Sequence, residues 1–144
     1  MPGVEVKTAV RDGHVVVTLR GELDVTGAAD AEAEITALVR PRRCLIIDMS
    51  ALDFMDCSSL RALLRVQGLA RRGGGDVALA APQPQLRRLL ALTGLEDAFR
   101  VQASVTAAVA GAGAASPRKR YSWRRLAVSA ARPGRAAPSR TGTG

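Results

Sequence analysis

Aromatic side chains are nearly missing from this sequence: two Phe, one Tyr and one Trp among 144 residues. A core must therefore be built from Leu, Val, Ile and Ala, and the 47% apolar content can supply it. Cysteine is equally scarce. Cys44 and Cys57 are the two present, with no Cys-x-x-Cys spacing. That excludes a disulfide framework and fits a reducing cytoplasm. One histidine, His14, cannot found a metal centre with two cysteines unless many carboxylates converge on it. A Ser-His-Asp triad would have to recruit His14, and no Gly-x-Ser-x-Gly elbow is present. There is no Gly-x-Gly-x-x-Gly and no P-loop; Gly73-Gly74-Gly75 lacks the following Lys-Ser/Thr that phosphate binding needs. The expectation is a protein that is not an enzyme and holds no metal or cofactor. No apolar run approaches membrane-spanning length, and Met1-Pro2-Gly3-Val4-Glu5 has no basic segment leading into an apolar one, so a cytoplasmic protein is expected.

Acidic residues are missing from one part of the chain only. Residues 1–110 hold thirteen Lys/Arg and thirteen Asp/Glu, which cancel. Residues 111–144 hold eight basic residues (Arg118, Lys119, Arg120, Arg124, Arg125, Arg132, Arg135, Arg140) and no acid. The net charge of +8 is thus a property of the tail, and the remainder is not a basic nucleic-acid module. Ala, Gly, Pro, Ser and Arg dominate that tail, a composition that buries too little surface to offset chain entropy. Two parts are expected: a folded domain over 3–111 and a disordered basic tail over 112–144.

What is present up to residue 111 alternates strand and helix patterns. Val4, Val6, Thr8 and Val10 alternate with polar residues as in an edge strand, and Asp12-Gly13 is a hairpin signal. Val15, Val17 and Leu19 mark a second strand with His14, Val16, Thr18 and Arg20 on its other face; Gly21 to Asp24 leaves it. Thr26 is the expected cap of a helix reaching about Val39, with Ala29, Ala33, Ala37, Ile35 and Leu38 toward the sheet. Cys44 to Met49 is apolar on both faces, as in a central strand, with Cys44 in the core. A second helix opening at Ser58 or Ser59 buries Leu60, Leu63, Leu64 and Val66 and exposes a stripe of Arg61, Arg65 and Arg72. Val77 to Ala80, a helix from Pro82-Gln83-Pro84 to Gly94, Phe99 to Val101, and a helix capped by Ser104 complete the series. The order ββαβαβαβα gives a small α/β domain, and right-handed crossovers would place its helices largely on one side of a mixed four- to five-stranded sheet.

The stretch from Leu45 to Leu60 organises the chain. A short apolar run turns through Asp53 to Asp56 and restarts as a helix, which is half of a βαβ unit. Small hydroxyl and thiol side chains thus sit at a helix N-terminus, where unpaired N–H groups and the dipole favour negative charge. Asp56-Cys57-Ser58-Ser59-Leu60, preceded by Phe54-Met55, resembles the Asp-Ser-Ser-Gly-Leu signature of STAS domains of the anti-sigma factor antagonist type. Gly21-Glu22-Leu23-Asp24 is similar to that family's turn after its second strand, and Leu90-Ala91-Leu92-Thr93-Gly94-Leu95 to its third helix and terminating Gly.

The resemblance implies a STAS fold and a bacterial regulator that binds an anti-sigma factor of the GHKL serine-kinase type and frees a sigma factor by partner switching. No direct contact with the sigma factor is expected. The implied partner-binding residues are Asp24, Phe54, Met55, Asp56, Cys57, Ser58, Ser59 and Arg61. Two positions depart from the family pattern. Cys57 stands where the family carries the phosphorylated Ser or Thr. Three readings follow, in this order: Cys57 is a small replacement that the kinase cannot phosphorylate; Ser58 accepts phosphate instead; or Cys57 is a redox-sensing thiol. Ser59 stands where the family usually has Gly. For the Arg61 stripe a solvated face is the simpler expectation, as is a surface position for His14. The tail, with Tyr121 and Trp123 among its arginines, could bind nucleic acid or anionic lipid weakly; a solubilising extension is the plainer reading.

Overall fold

A computed structural model describes residues 3–112. The basic tail from 113 onward, including its implied nucleic-acid or lipid binding, lies outside the described residues. The elements run β1 (Val4–Arg11), β2 (His14–Leu23), α1 (Val25–Thr36), β3 (Cys44–Met55), α2 (Cys57–Arg72), β4 (Asp76–Ala80), α3 (Pro84–Leu92), β5 (Arg100–Gln102) and α4 (Val105–Gly111). The five strands form one sheet in sequence order. β1 and β2 are antiparallel, and every later neighbour pair is parallel. The expected mixed α/β architecture is the one found.

Alternation along β3 separates two apolar layers. Leu45, Ile47 and Met49 join Ile35 of α1, Leu60, Leu63 and Leu64 of α2 and Leu86 and Leu90 of α3 in the main core. Cys44 and Ile46 face the other way and pack with Val16, Ala78, Ala80 and Ala108 of α4. Three helices thus cover one face and the short α4 covers part of the other. Each fully buried Leu or Ile contributes about 1.5–3 kcal/mol, so this core draws mainly on aliphatic side chains. Phe99, completely buried, is the one aromatic in it.

Several local expectations are corrected. Thr26 does not cap α1; Asp24 does, its side chain accepting from Thr26 N at 3.0 Å. The helix ends at Thr36, and its buried face is Ala28, Ala31 and Ile35, while Ala29, Ala33 and Ala37 are exposed. An earlier cap rotates the inward stripe by one position. β2 does not end at Gly21 but continues to Leu23, and β3 does not turn at Asp53 but continues to Met55. Their ladder absorbs two register shifts and still pairs Glu22 with Phe54 and Leu23 with Met55. Gly21 is required in that extension: its φ is +101°, and a Cβ there would overlap the carbonyl oxygen of Gly3. Glu22 N donates to the same oxygen at 2.9 Å.

Arg65 is also not part of a solvated stripe. It forms a forked pair with Glu32, at 2.8 Å through Nε and 2.7 Å through Nη2, tying α2 to α1. His14 is half-buried rather than on the open surface. Among the described residues no helix is long and apolar enough to cross a membrane.

Candidate functional site

β2 and β3 are adjacent and parallel, so the helices that follow them start side by side. Leu23 and Met55, their last residues, are register partners. The next residue in each case is an aspartate in extended conformation, Asp24 or Asp56, and each is the cap of its helix. Two dipolar helix mouths therefore open at the same end of the sheet.

Asp56 joins them. Its Oδ1 accepts from Ser59 N at 2.9 Å and from Ser58 Oγ at 2.9 Å, while Oδ2 accepts from Val25 N at 3.0 Å. Partial burial works to raise the Asp56 carboxyl pKa, but the hydrogen bonds donated by Ser59, Ser58 and Val25 outweigh it and hold the group below its ordinary value. Asp56 is thus a fixed negative charge around which both first turns are built.

The expected site residues separate into two groups. Phe54 and Cys57 are exposed, and Asp24, Asp56, Ser58 and Arg61 are half-buried at the same rim. Met55 and Ser59, by contrast, are buried and offer no side chain to a visitor. Met55 points into the main core, as alternation from Leu52 and the neighbouring bulge require. Ser59 Oγ sits 2.9 Å from Leu23 O and 2.8 Å from Asp56 Oδ1, so its single proton serves a contact between the two strand–helix junctions. The hydroxyl in place of the family's Gly is spent inside the fold.

Sequence reasoning missed two features of this rim. Val25 is 72% exposed at the first position of α1, where a cap at Thr26 would have left it outside the helix. With Phe54, 47% exposed, it gives the rim an apolar surface between the aspartates. The second feature is a clip from α3. Gln83 Nε2 lies 3.1 Å from Ser50 O and 3.0 Å from Leu52 O, and Gln85 Nε2 donates to Asp53 O at 2.9 Å. The chain leading to Phe54 is fixed by these amides, whose partners are backbone carbonyls more than thirty positions earlier.

Cys57 occupies the first position of α2, exposed. Cys44, the other thiol, begins the twelve-residue β3 at its far end. At about 3.3 Å per residue the two lie roughly 35 Å apart, far beyond disulfide reach. Burial first, and the nearby Asp76 charge second, push the Cys44 thiol up to about 11. Cys57 therefore has no resolving partner in its own chain. Ser58, the alternative acceptor, is half-buried with its hydroxyl committed to Asp56.

Residues 5–108 match the family model of the STAS domain. The chain is 31% identical over 108 residues to the putative anti-sigma factor antagonist BtrV of Bordetella bronchiseptica, covering 74% of this chain and 93% of that protein. It is 31% identical over 85 residues to the anti-sigma F factor antagonist of Paenibacillus polymyxa, covering 58% and 73%. Among solved structures, an anti-sigma factor antagonist from Mycobacterium paratuberculosis superposes with a TM-score of 0.69 at 28% identity, over 76% of this chain and 94% of that one.

Proposed function

Because the chain belongs to the STAS domain family, we propose that it is an anti-sigma factor antagonist, a binding module that takes an anti-sigma factor away from its sigma factor in the cytoplasm. The partner is an anti-sigma factor of the GHKL serine-kinase type. It docks on the rim formed by Asp24, Val25, Phe54, Asp56, Cys57, Ser58 and Arg61. The observation that carries this reading is the pairing of two aspartate-capped helix mouths around the exposed Phe54 and Cys57. An exposed aromatic in a polar ring is the usual form of an interface anchor.

In this site phosphate on the first residue of α2 would bring up to about two negative charges beside Asp24 and Asp56, and repulsion and desolvation would break the contact. Cys57 removes the acceptor hydroxyl. Ser58 is a poor substitute, since its oxygen already donates to a carboxylate and a phosphate there would face that carboxylate directly. The protein therefore stays in its binding form in the presence of the kinase, and release depends on something other than phosphorylation. Capture of partners from native cytoplasm by the full chain, followed by phosphate mapping after incubation with the recovered kinase, tests this. Recovery of a kinase-type anti-sigma factor with no phosphate on Ser58 is the expected result. Failure to recover such a protein contradicts the partner, and phosphate on Ser58 contradicts the loss of the switch.

A further inference from the structure

β1 is the outermost strand of the sheet, and among the described residues no strand lies beyond it. It is eight residues long, and no proline interrupts it. Its two-residue turn has positive φ at both positions, 50° at Asp12 and 80° at Gly13. A turn of that kind makes Arg11 and His14, its flanking pair, exchange both backbone hydrogen bonds. In an antiparallel ladder such pairs alternate with non-bonded ones. Arg11, Ala9, Lys7 and Glu5 therefore spend their backbone groups on β2, and Val4, Val6, Thr8 and Val10 direct theirs outward. Val10 is also 69% exposed, an uncovered apolar side chain on the edge. An unpaired edge of this length is a template for another strand.

The sequence of the edge identifies that strand. We propose that β1 pairs antiparallel with β1 of a second copy of this chain, about a two-fold axis through Thr8, joining two sheets into one of ten strands. In this register Thr8 meets Thr8, and Val6 of each copy meets Val10 of the other, in the pairs whose backbone groups face outward. Lys7 falls opposite Ala9, and Glu5 opposite Arg11, in the closer non-bonded positions where opposite charges interact best. The arrangement is self-complementary, as a two-fold interface must be. Neighbouring registers fail. An axis through Lys7 sets lysine against lysine, and one through Ala9 sets Lys7 against Arg11. An axis through Val6 pairs Glu5 with Lys7 but leaves Val10 unpaired beyond the overlap. Glu5 makes only loose, exposed ion pairs, through one oxygen at 3.7 Å to Lys7 and through the other at 3.8 Å to Arg20, both too long for a hydrogen bond. Arg11 donates through one nitrogen to Thr106 Oγ1 at 3.1 Å and retains further donors.

Sedimentation equilibrium of the full chain over rising concentration tests the pairing. The expected result is a mass climbing from 15.1 kDa toward twice that value. Thr8→Pro removes one outward N–H and leaves the ladder to β2 intact, so it should be monomeric at every concentration with an unchanged circular dichroism spectrum. Glu5→Arg and Arg11→Glu should each return the chain to monomer, and the two together should restore the dimer. A wild-type chain that stays monomeric to its solubility limit overturns the proposal. So does a dimer that survives Thr8→Pro or ignores the charge exchange, since either places the contact on another surface.

Discussion

Asp56 Oδ2 lies 3.0 Å from Val25 N, so the carboxylate that caps α2 also holds the first residue of α1. One side chain thereby fixes the spacing of both helix mouths. Removing it should loosen the whole rim and not merely fray one helix.

Asp56→Ala should lower stability at neutral pH by about 1 kcal/mol, the usual worth of a cap. The pH dependence has a definite sign. The carboxyl pKa is depressed below 3.8 in the folded protein, so its contribution is full above that value and is lost as pH falls through the folded pKa. Urea titrations of both proteins should show a gap that is constant near neutrality and narrows below pH 3.8.

The two thiols should behave oppositely toward an alkylating reagent. Cys57 is exposed and Cys44 buried. The native protein should take up one equivalent at neutral pH and a second only on unfolding, read by intact mass. Two equivalents in the native state would contradict the packing of Cys44 against α4.

Asp76 is buried between Arg71, at 3.0 Å, and Arg100, at 3.2 Å. Asp76→Ala would leave two guanidinium groups facing each other in a poorly hydrated site. The expected loss is about 3–5 kcal/mol, measured by denaturant unfolding, and partner binding should change only through folding.

Phe54→Ala separates the rim from the core. Phe54 is 47% exposed, so truncation should leave the melting temperature nearly unchanged. As an interface anchor it should cost about 2 kcal/mol of partner affinity, roughly thirtyfold. A large stability loss with unchanged affinity would remove Phe54 from the interface.

Much of this was legible in the sequence, and the exceptions share a cause. Leu45 to Ile47 reads as a strand because nothing competes with it. Asp53 to Asp56 reads as a turn, because the local preferences of its aspartates favour one. The strand persists to Met55 because β2 supplies a ladder with two register shifts and Gln83 and Gln85 hold the carbonyls from α3. Ser59 reads as an ordinary helix-start residue; it is buried because the carbonyl of Leu23, thirty-six positions earlier, lies above it. No local pattern joins Arg100 to Asp76; the two meet because β4 and β5 are side by side. Local pattern carried the elements and the motif. Pairings between distant segments decided which motif residues face outward.

The most direct test of the rim is a calorimetric titration of the captured anti-sigma factor with the full chain and with Cys57→Glu. Cys57 is exposed at the first position of α2, so the substitution adds charge at the helix mouth and not in the core. If a partner reads the charge of that mouth, the added carboxylate should weaken binding by roughly a hundredfold, the effect of like charges brought together in an interface. Equal affinity for the two proteins would contradict it.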